Sequence, residues 1–292
     1  MIDDLSTGVA GNLPPGVELI RADICDPAAV AAALEGVDGV FHLAAIASVE
    51  RCIREWKRTS EVNLGGTISI LDGVKRTGGS IRVVYASSAA VYGESEASPI
   101  GEGAEKRPLS SYGVDKLASE LHARVATRTH GIPTVGLRFF NVYGPRQDPH
   151  SPFSGVISIF VDRLRRNQTI TIFGDGQQTR DFVFVADVVA ALVQAMTAPV
   201  QEAEVLNICT GRAITVVELA KLVAELLGVQ LNIHWDLPRK ADIRHSVGSP
   251  LAGRTRLDLS EPTSLRAGLS RLIAETSIPS RSMKQPMRNQ AD

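Results

Sequence analysis

The chain is poor in the features that mark several large classes of protein. Its three cysteines, Cys25, Cys52 and Cys209, are scattered and lack Cys-x-x-Cys spacing. Neither a disulfide framework nor a zinc site is indicated, no metal is expected, and a reducing cytoplasm fits. No apolar run approaches the roughly 18 residues of a membrane span. The start, Met1-Ile2-Asp3-Asp4, has none of the basic and apolar regions of a signal peptide. An excess of one charge is missing too: 31 Lys and Arg face 32 Asp and Glu, for a formal net charge of −1. That balance removes any electrostatic reason to expect nucleic acid or an anionic membrane as partner. No internal repeat is visible. What remains, 292 residues that are 44% hydrophobic and 22% charged, is the composition of an ordinary globular enzyme with length for one large or two modest domains.

The most informative stretch runs from Ser87 to Lys116. The apolar run Ile81–Ala86 reads as a strand that ends in Ser87-Ser88 and continues Ala89-Ala90-Val91-Tyr92-Gly93. About two dozen residues later comes Ser111-Tyr112-Gly113-Val114-Asp115-Lys116. Tyr112 and Lys116 are four apart at the start of a predicted helix, which puts both side chains on one face. An ammonium beside a phenol favours the phenolate and lowers a pKa that is ordinarily about 10. Such a phenol can take a proton from an alcohol and return it. A Tyr-x-x-x-Lys pair alone arises by chance on surface helices. Behind a strand ending in Ser-Ser it is far more specific.

With these residues the sequence resembles the extended short-chain dehydrogenases/reductases, and within them the NAD-dependent nucleotide-sugar 4-epimerases. The resemblance runs from Ile2 to about Leu272. It implies an α/β fold: a Rossmann-type parallel sheet with a smaller C-terminal α/β substrate domain. The expected division is 1–145 for NAD binding and 146–276 for the nucleotide sugar, with 277–292 a polar, pattern-free tail. It further implies Ser88, Tyr112 and Lys116 as the catalytic set and a UDP-hexose as substrate. A homodimer is implied as well, built on the Tyr112 helix and the helical segment 48–77.

One part of the family pattern is absent. The family opens with a strand, a Gly-x-x-Gly-x-x-Gly turn and a helix, and here no glycine precedes Gly8. Backbone N–H groups at that helix start ordinarily hold the pyrophosphate. The expectation is therefore a sheet lacking its first strand-helix unit, with a start assigned too late or a truncated gene as its origin.

The other implied cofactor contacts are spread along the first half. Asp3 matches the acidic residue that accepts the adenosine ribose hydroxyls, a choice that favours NAD over NADP; otherwise it belongs to an Asp-rich turn. Asp23 and Ile24 match the adenine contacts. Ala44 and Ala45 end the predicted strand 38–43 and match the pair that lets the cofactor approach closely. Asn63, in Val62-Asn63-Leu64-Gly65-Gly66-Thr67, and Phe140 match positions near the nicotinamide. His42 reads as a packing residue.

The substrate side rests on three segments. Arg138-Phe139-Phe140-Asn141-Val142-Tyr143-Gly144-Pro145-Arg146-Gln147 assigns Asn141 to the sugar or diphosphate. Gly174-Asp175-Gly176-Gln177-Gln178-Thr179-Arg180-Asp181-Phe182 assigns Arg180 to the diphosphate, which a guanidinium grips with two parallel bonds; the bland reading is a surface salt bridge. Asp181 and Asp187 read as structural partners. Arg239, in Pro238-Arg239-Lys240-Ala241-Asp242, matches a second diphosphate arginine, with Ala241 where the family has Gly. Ser246, four after Asp242, falls where residue size gates the sugar's C2 substituent. Its small side chain admits an N-acetyl group. Finally, Ala89 and Ala90 occupy the places where dehydratase relatives carry an Asp-Glu pair. Alanine transfers no proton, so dehydration lacks its acid and base.

Overall fold

The computed structural model describes residues 1–149, 151, 155–199, 203–239 and 243–276. Its elements in chain order are β1 (Ile2–Asp3), β2 (Ile20–Arg21), α1 (Pro27–Ala33), β3 (Gly39–His42), α2 (Val49–Arg54), α3 (Trp56–Ser60), α4 (Gly66–Arg76), β4 (Arg82–Ser88), α5 (Ser111–His130), β5 (Thr134–Phe139) and β6 (Asn141–Tyr143). There follow α6 (Val156–Arg165), β7 (Ile170–Phe173), β8 (Thr179–Arg180), β9 (Phe182–Phe184), α7 (Val185–Thr197), β10 (Glu204–Ile208), β11 (Ile214–Thr215), α8 (Val216–Leu227), β12 (Ile233–Asp236), β13 (His245–Ser246), α9 (Leu251–Arg256) and α10 (Leu265–Thr276).

Four strands make the central sheet, in the order β10-β5-β4-β3, all parallel. Helices cover both faces, which is why β4 and β5 read as nearly unbroken apolar runs. Side chains alternate along β4. Val83 and Tyr85 join Val74 of α4 and Ala123 of α5, whereas Val84 joins Val188 and Leu192 of α7. Ser87 therefore faces α5, and Ser88 ends the strand at the sheet's carboxyl edge.

β1 and β2 pair in parallel with each other and with no strand of the central sheet. The expected interruption is thus present: the outer edge of β3 has no strand partner among the described residues. Phe41 of β3 and Leu43 just beyond it are each 48% exposed.

A second core holds the C-terminal part. Ile170 and Ile172 of β7, Phe160 and Leu164 of α6, Leu219 and Val223 of α8, and Leu269 of α10 pack together. Helix ends follow local chemistry. Asp26 caps α1 with Pro27 in its first turn, and Thr215 and Glu218 form a reciprocal capping box on α8. α10 starts at Leu265, just after Ser264, whose side chain accepts from Ala267 N at 3.3 Å. The predicted tail, 277–292, lies outside the described residues.

Candidate active site

Ser88, Tyr112 and Lys116 converge at the carboxyl end of β4. Ser110 caps α5 through its side chain on Gly113 N, so α5 opens with Tyr112 and Lys116 facing the strand end. The Tyr112 hydroxyl lies beside the Ser88 side chain, whose influence works against that of burial. Ser88 Oγ also accepts from Ala90 N at 3.1 Å, which fixes its rotamer. The Lys116 ammonium is buried and donates to Ala86 O at 2.8 Å. It lies 5.8 Å from the centroid of the Tyr112 ring.

That placement corrects one expectation. Burial pushes the Tyr112 hydroxyl above the ordinary phenol value, and the Ser88 side chain is what opposes it. The lysine sits over the ring rather than at the hydroxyl, so it does not bring the phenol down. Lys116 itself is pulled down to about 8 by burial, with Asp115 opposing. An ammonium has three protons to donate, and the described residues occupy one of them. The site thus presents a buried cation with donor capacity to spare.

Beneath this cluster is a buried network absent from the sequence reading. Arg138 of β5 holds Glu120 of α5 with two bonds, Nε to Oε1 at 2.8 Å and Nη2 to Oε2 at 2.7 Å. Ser87 Oγ donates to Glu120 Oε1 at 2.5 Å, and Arg138 Nη1 donates to Tyr92 Oη at 2.7 Å. The network joins β4, β5 and α5 directly under Ser88. Its signals were in the sequence: Glu120 continues the Tyr112-Lys116 face by one more turn, and Arg138 interrupts an otherwise apolar strand.

The residues expected around a cofactor lie at the carboxyl ends of parallel strands: Asp3 at the end of β1, Asp23 and Ile24 after β2, Ala44 and Ala45 after β3. Several of the expected cofactor residues already have partners within the chain. Asp3 Oδ1 accepts from Leu5 N at 2.7 Å, and Asp23 is paired with Arg58 at 2.6 Å, which holds its carboxyl below the usual range. Asn63 is 1% exposed, and both ends of its amide are bound by the backbone of Ile46. It pins the loop after β3 rather than reaching into the site. Phe140 is also buried, packed with Tyr92 and against Gly248. Ile24 packs onto Gly66 of α4. Each of these positions was implied by the family resemblance, which does not say where a side chain points. His42 is the buried packing residue expected. Its Nε2 meets Thr67 Oγ1 at 3.0 Å, and burial lowers its pKa to about 3.

A second cluster lies in the C-terminal part. Asn141, Arg180 and Arg239 line one cavity of about 510 Å³, together with Phe173 and Gln178. The Arg239 guanidinium stacks 4.0 Å from the centroid of the Phe173 ring. Ser246 is buried one strand away, paired in register with Arg180, and is not on the cavity wall. The turn containing Ala241 and Asp242 lies outside the described residues. Asp187 holds Thr263 through its N and Oγ1. The described residues contain no group of His, Cys, Asp and Glu arranged for a metal, and no helix long and apolar enough to cross a membrane.

Comparison with known proteins places this geometry. The NAD dependent epimerase/dehydratase family matches residues 1–209. A putative UDP-glucose 4-epimerase of Methanocaldococcus jannaschii is 35% identical, over 94% of this chain and 88% of its own length. The crystal structure of UDP-glucose 4-epimerase from Thermotoga maritima with UDP-glucose superposes with a TM-score of 0.90 at 34% identity, covering 94% of this chain and 89% of that one. UDP-glucose 4-epimerase of Thermus thermophilus in complex with NAD gives 0.87 at 31% identity, covering 95% and 90%.

Proposed function

The chain belongs to the NAD dependent epimerase/dehydratase family, and from that premise we propose that it inverts C4 of a nucleotide-linked hexose, UDP-glucose or its N-acetylated equivalent, through a 4-keto sugar. The observation that carries this reading is the convergence of Ser88, Tyr112 and Lys116 at the end of β4, with Ala89 and Ala90 beside them. A hydroxyl pair with a neighbouring ammonium serves oxidation and reduction at one carbon. Elimination of water needs a further acid and base, and the alanines supply neither.

NAD, when bound, supplies the acceptor and donor for the C4 hydrogen. The chain's residues fit it at two ends. Lys116, with protons beyond its Ala86 bond, suits the hydroxyls of the nicotinamide ribose. Asp3 and Asp23, at the carboxyl ends of the separate β1–β2 pair, are assigned to the adenosine end. No residue is assigned to the pyrophosphate, since the chain has no Gly-x-x-Gly-x-x-Gly turn. Tyr112 exchanges the proton of the 4-hydroxyl, and Ser88 holds the 4-oxygen through its hydrogen bond. Arg180 and Arg239 hold the diphosphate in the 510 Å³ cavity, with Asn141 toward the sugar.

We assign the homodimer to α4 and α5. Ile68, Val114, Leu121 and Val125 are between 39% and 54% exposed on these two helices. An apolar stripe of that kind favours association.

The test is conversion of UDP-glucose to UDP-galactose, and of UDP-N-acetylglucosamine to its 4-epimer, with NAD added. Stoichiometric NADH oxidation without epimer would put a sugar-nucleotide reductase in its place. Binding of UDP-glucose with neither reaction would leave a binding role only.

A further inference from the structure

Asp181 is fully buried between β8 and β9. No cation bonds to it among the described residues, and four donors from two separate segments do. Thr210 N and Thr210 Oγ1 reach Oδ1 at 2.8 and 2.7 Å. Gly211 N reaches Oδ2 at 2.8 Å and Gly248 N at 3.3 Å. Its own carbonyl accepts from Asn141 N at 3.0 Å. A buried carboxylate without a counter-ion is costly unless donors surround it. Here the donors are mostly backbone amides of loops, which packing alone would not hold in place.

What those loops carry gives the carboxylate its meaning. Arg180 precedes Asp181, and Ser246 pairs with Arg180 two residues before Gly248. Asn141 hangs from the Asp181 carbonyl. Gly248 is pressed so closely on Phe140 and Cys209 that a Cβ there would come within 2.6 Å of both. The carboxylate thus ties the segment bearing Arg180 to the Thr210–Gly211 turn and to the segment bearing Ser246, while the main chain of the same residue carries Asn141.

We propose that Asp181 is a positioning residue for the nucleotide sugar: its carboxylate holds the segment bearing Arg180 in register with the one bearing Ser246, and substrate affinity depends on it. The inference rests on the substrate assignment above. The test is Asp181→Asn. The amide has the same shape, but whichever way it turns, its NH2 faces at least one backbone N–H. Asp187→Asn is the matched control, because Asp187 makes the same kind of bond to a Thr N and Oγ1 away from the cavity.

UDP-glucose binding is read by titration calorimetry and needs no turnover. Asp181→Asn is expected to raise Kd by about tenfold with unchanged stoichiometry, the loss expected when charge-assisted bonds go. Asp187→Asn lowers Tm but leaves Kd within about twofold, as expected for a site with no shared partners. An unchanged Kd in Asp181→Asn, or an equal rise in Asp187→Asn, overturns the proposal. If Asp181→Asn does not fold, Thr210→Val decides: it removes one donor, a rise of about threefold supports the proposal, and an unchanged Kd overturns it. If the unmodified chain binds UDP-glucose without epimerising it, the catalytic reading fails while this test still runs. If the unmodified chain does not bind UDP-glucose, both fall.

Discussion

Replacing Arg138 by Met should be among the most damaging single changes in the molecule, although Arg138 touches no proposed ligand. Arg138 and Glu120 are 5% and 6% exposed, so their charges are held out of water. The guanidinium makes two bonds to the carboxylate, one to Tyr92 Oη, and one to Glu102 O at 3.1 Å. Methionine fills much of the same space but leaves the Glu120 carboxylate buried with the Ser87 hydroxyl as its remaining donor. Breaking a buried pair from one side costs about 3–5 kcal/mol. At roughly 2–3 °C per kcal/mol for a chain of this size, Tm should fall by some 6–15 °C. The cost comes from the stranded charge, so removing the charge should return part of it. The double variant Arg138→Met, Glu120→Met is expected to recover at least about half of the loss, because apolar replacement of a whole buried pair is close to neutral. Recovery stays incomplete because Ser87 loses its acceptor. Thermal and urea unfolding of the two variants provide the assay. A loss below about 1 kcal/mol in the single variant, or a double variant no more stable than the single, refutes the reasoning.

Three further predictions follow from the site. Tyr112→Phe removes the proposed acid-base hydroxyl and should lower kcat by ~10²–10⁴ while UDP-glucose binding persists; steady-state kinetics with retained activity would remove Tyr112 from that role. Lys116 has a folded pKa of about 8 against an ordinary 10.5. Between those values the unfolded chain holds the extra proton, so this residue's penalty is full below pH 8 and lifts as pH rises toward 10.5. Melting curves across that window should show the rise, and Lys116→Met should flatten it; equal slopes would contradict the burial argument. Val125→Glu puts a charge on the exposed stripe of α5, so sedimentation should show the mass of two chains falling to one, and a monomeric unmodified chain would end the dimer assignment.

Sequence spacing proved informative where one element carries several groups. Tyr112 and Lys116 share a helix face, and Ser88 ends an apolar strand, so the cluster could be read from period and position alone. Arg180, Arg239 and Asn141 also meet in one cavity, as their motifs implied. Less was legible where a side chain has a local partner. Asn63 finds the Ile46 backbone, Asp23 finds Arg58, and Phe140 turns into a cluster with Tyr92. Such choices depend on neighbours brought close by folding, and no spacing rule contains them. The Arg138–Glu120 pair was legible in part, as an arginine inside an apolar strand, but its partner lies 18 residues away on another element.

The central claim is that hydrogen leaves C4 and returns to the same carbon on the other face. It is tested most directly with UDP-glucose carrying deuterium at C4, incubated with the protein and NAD and followed by NMR. The account predicts UDP-galactose with the label retained at C4. Label lost to solvent would mean proton chemistry at that carbon, and the absence of any galactose product would contradict the 4-epimerase reading itself.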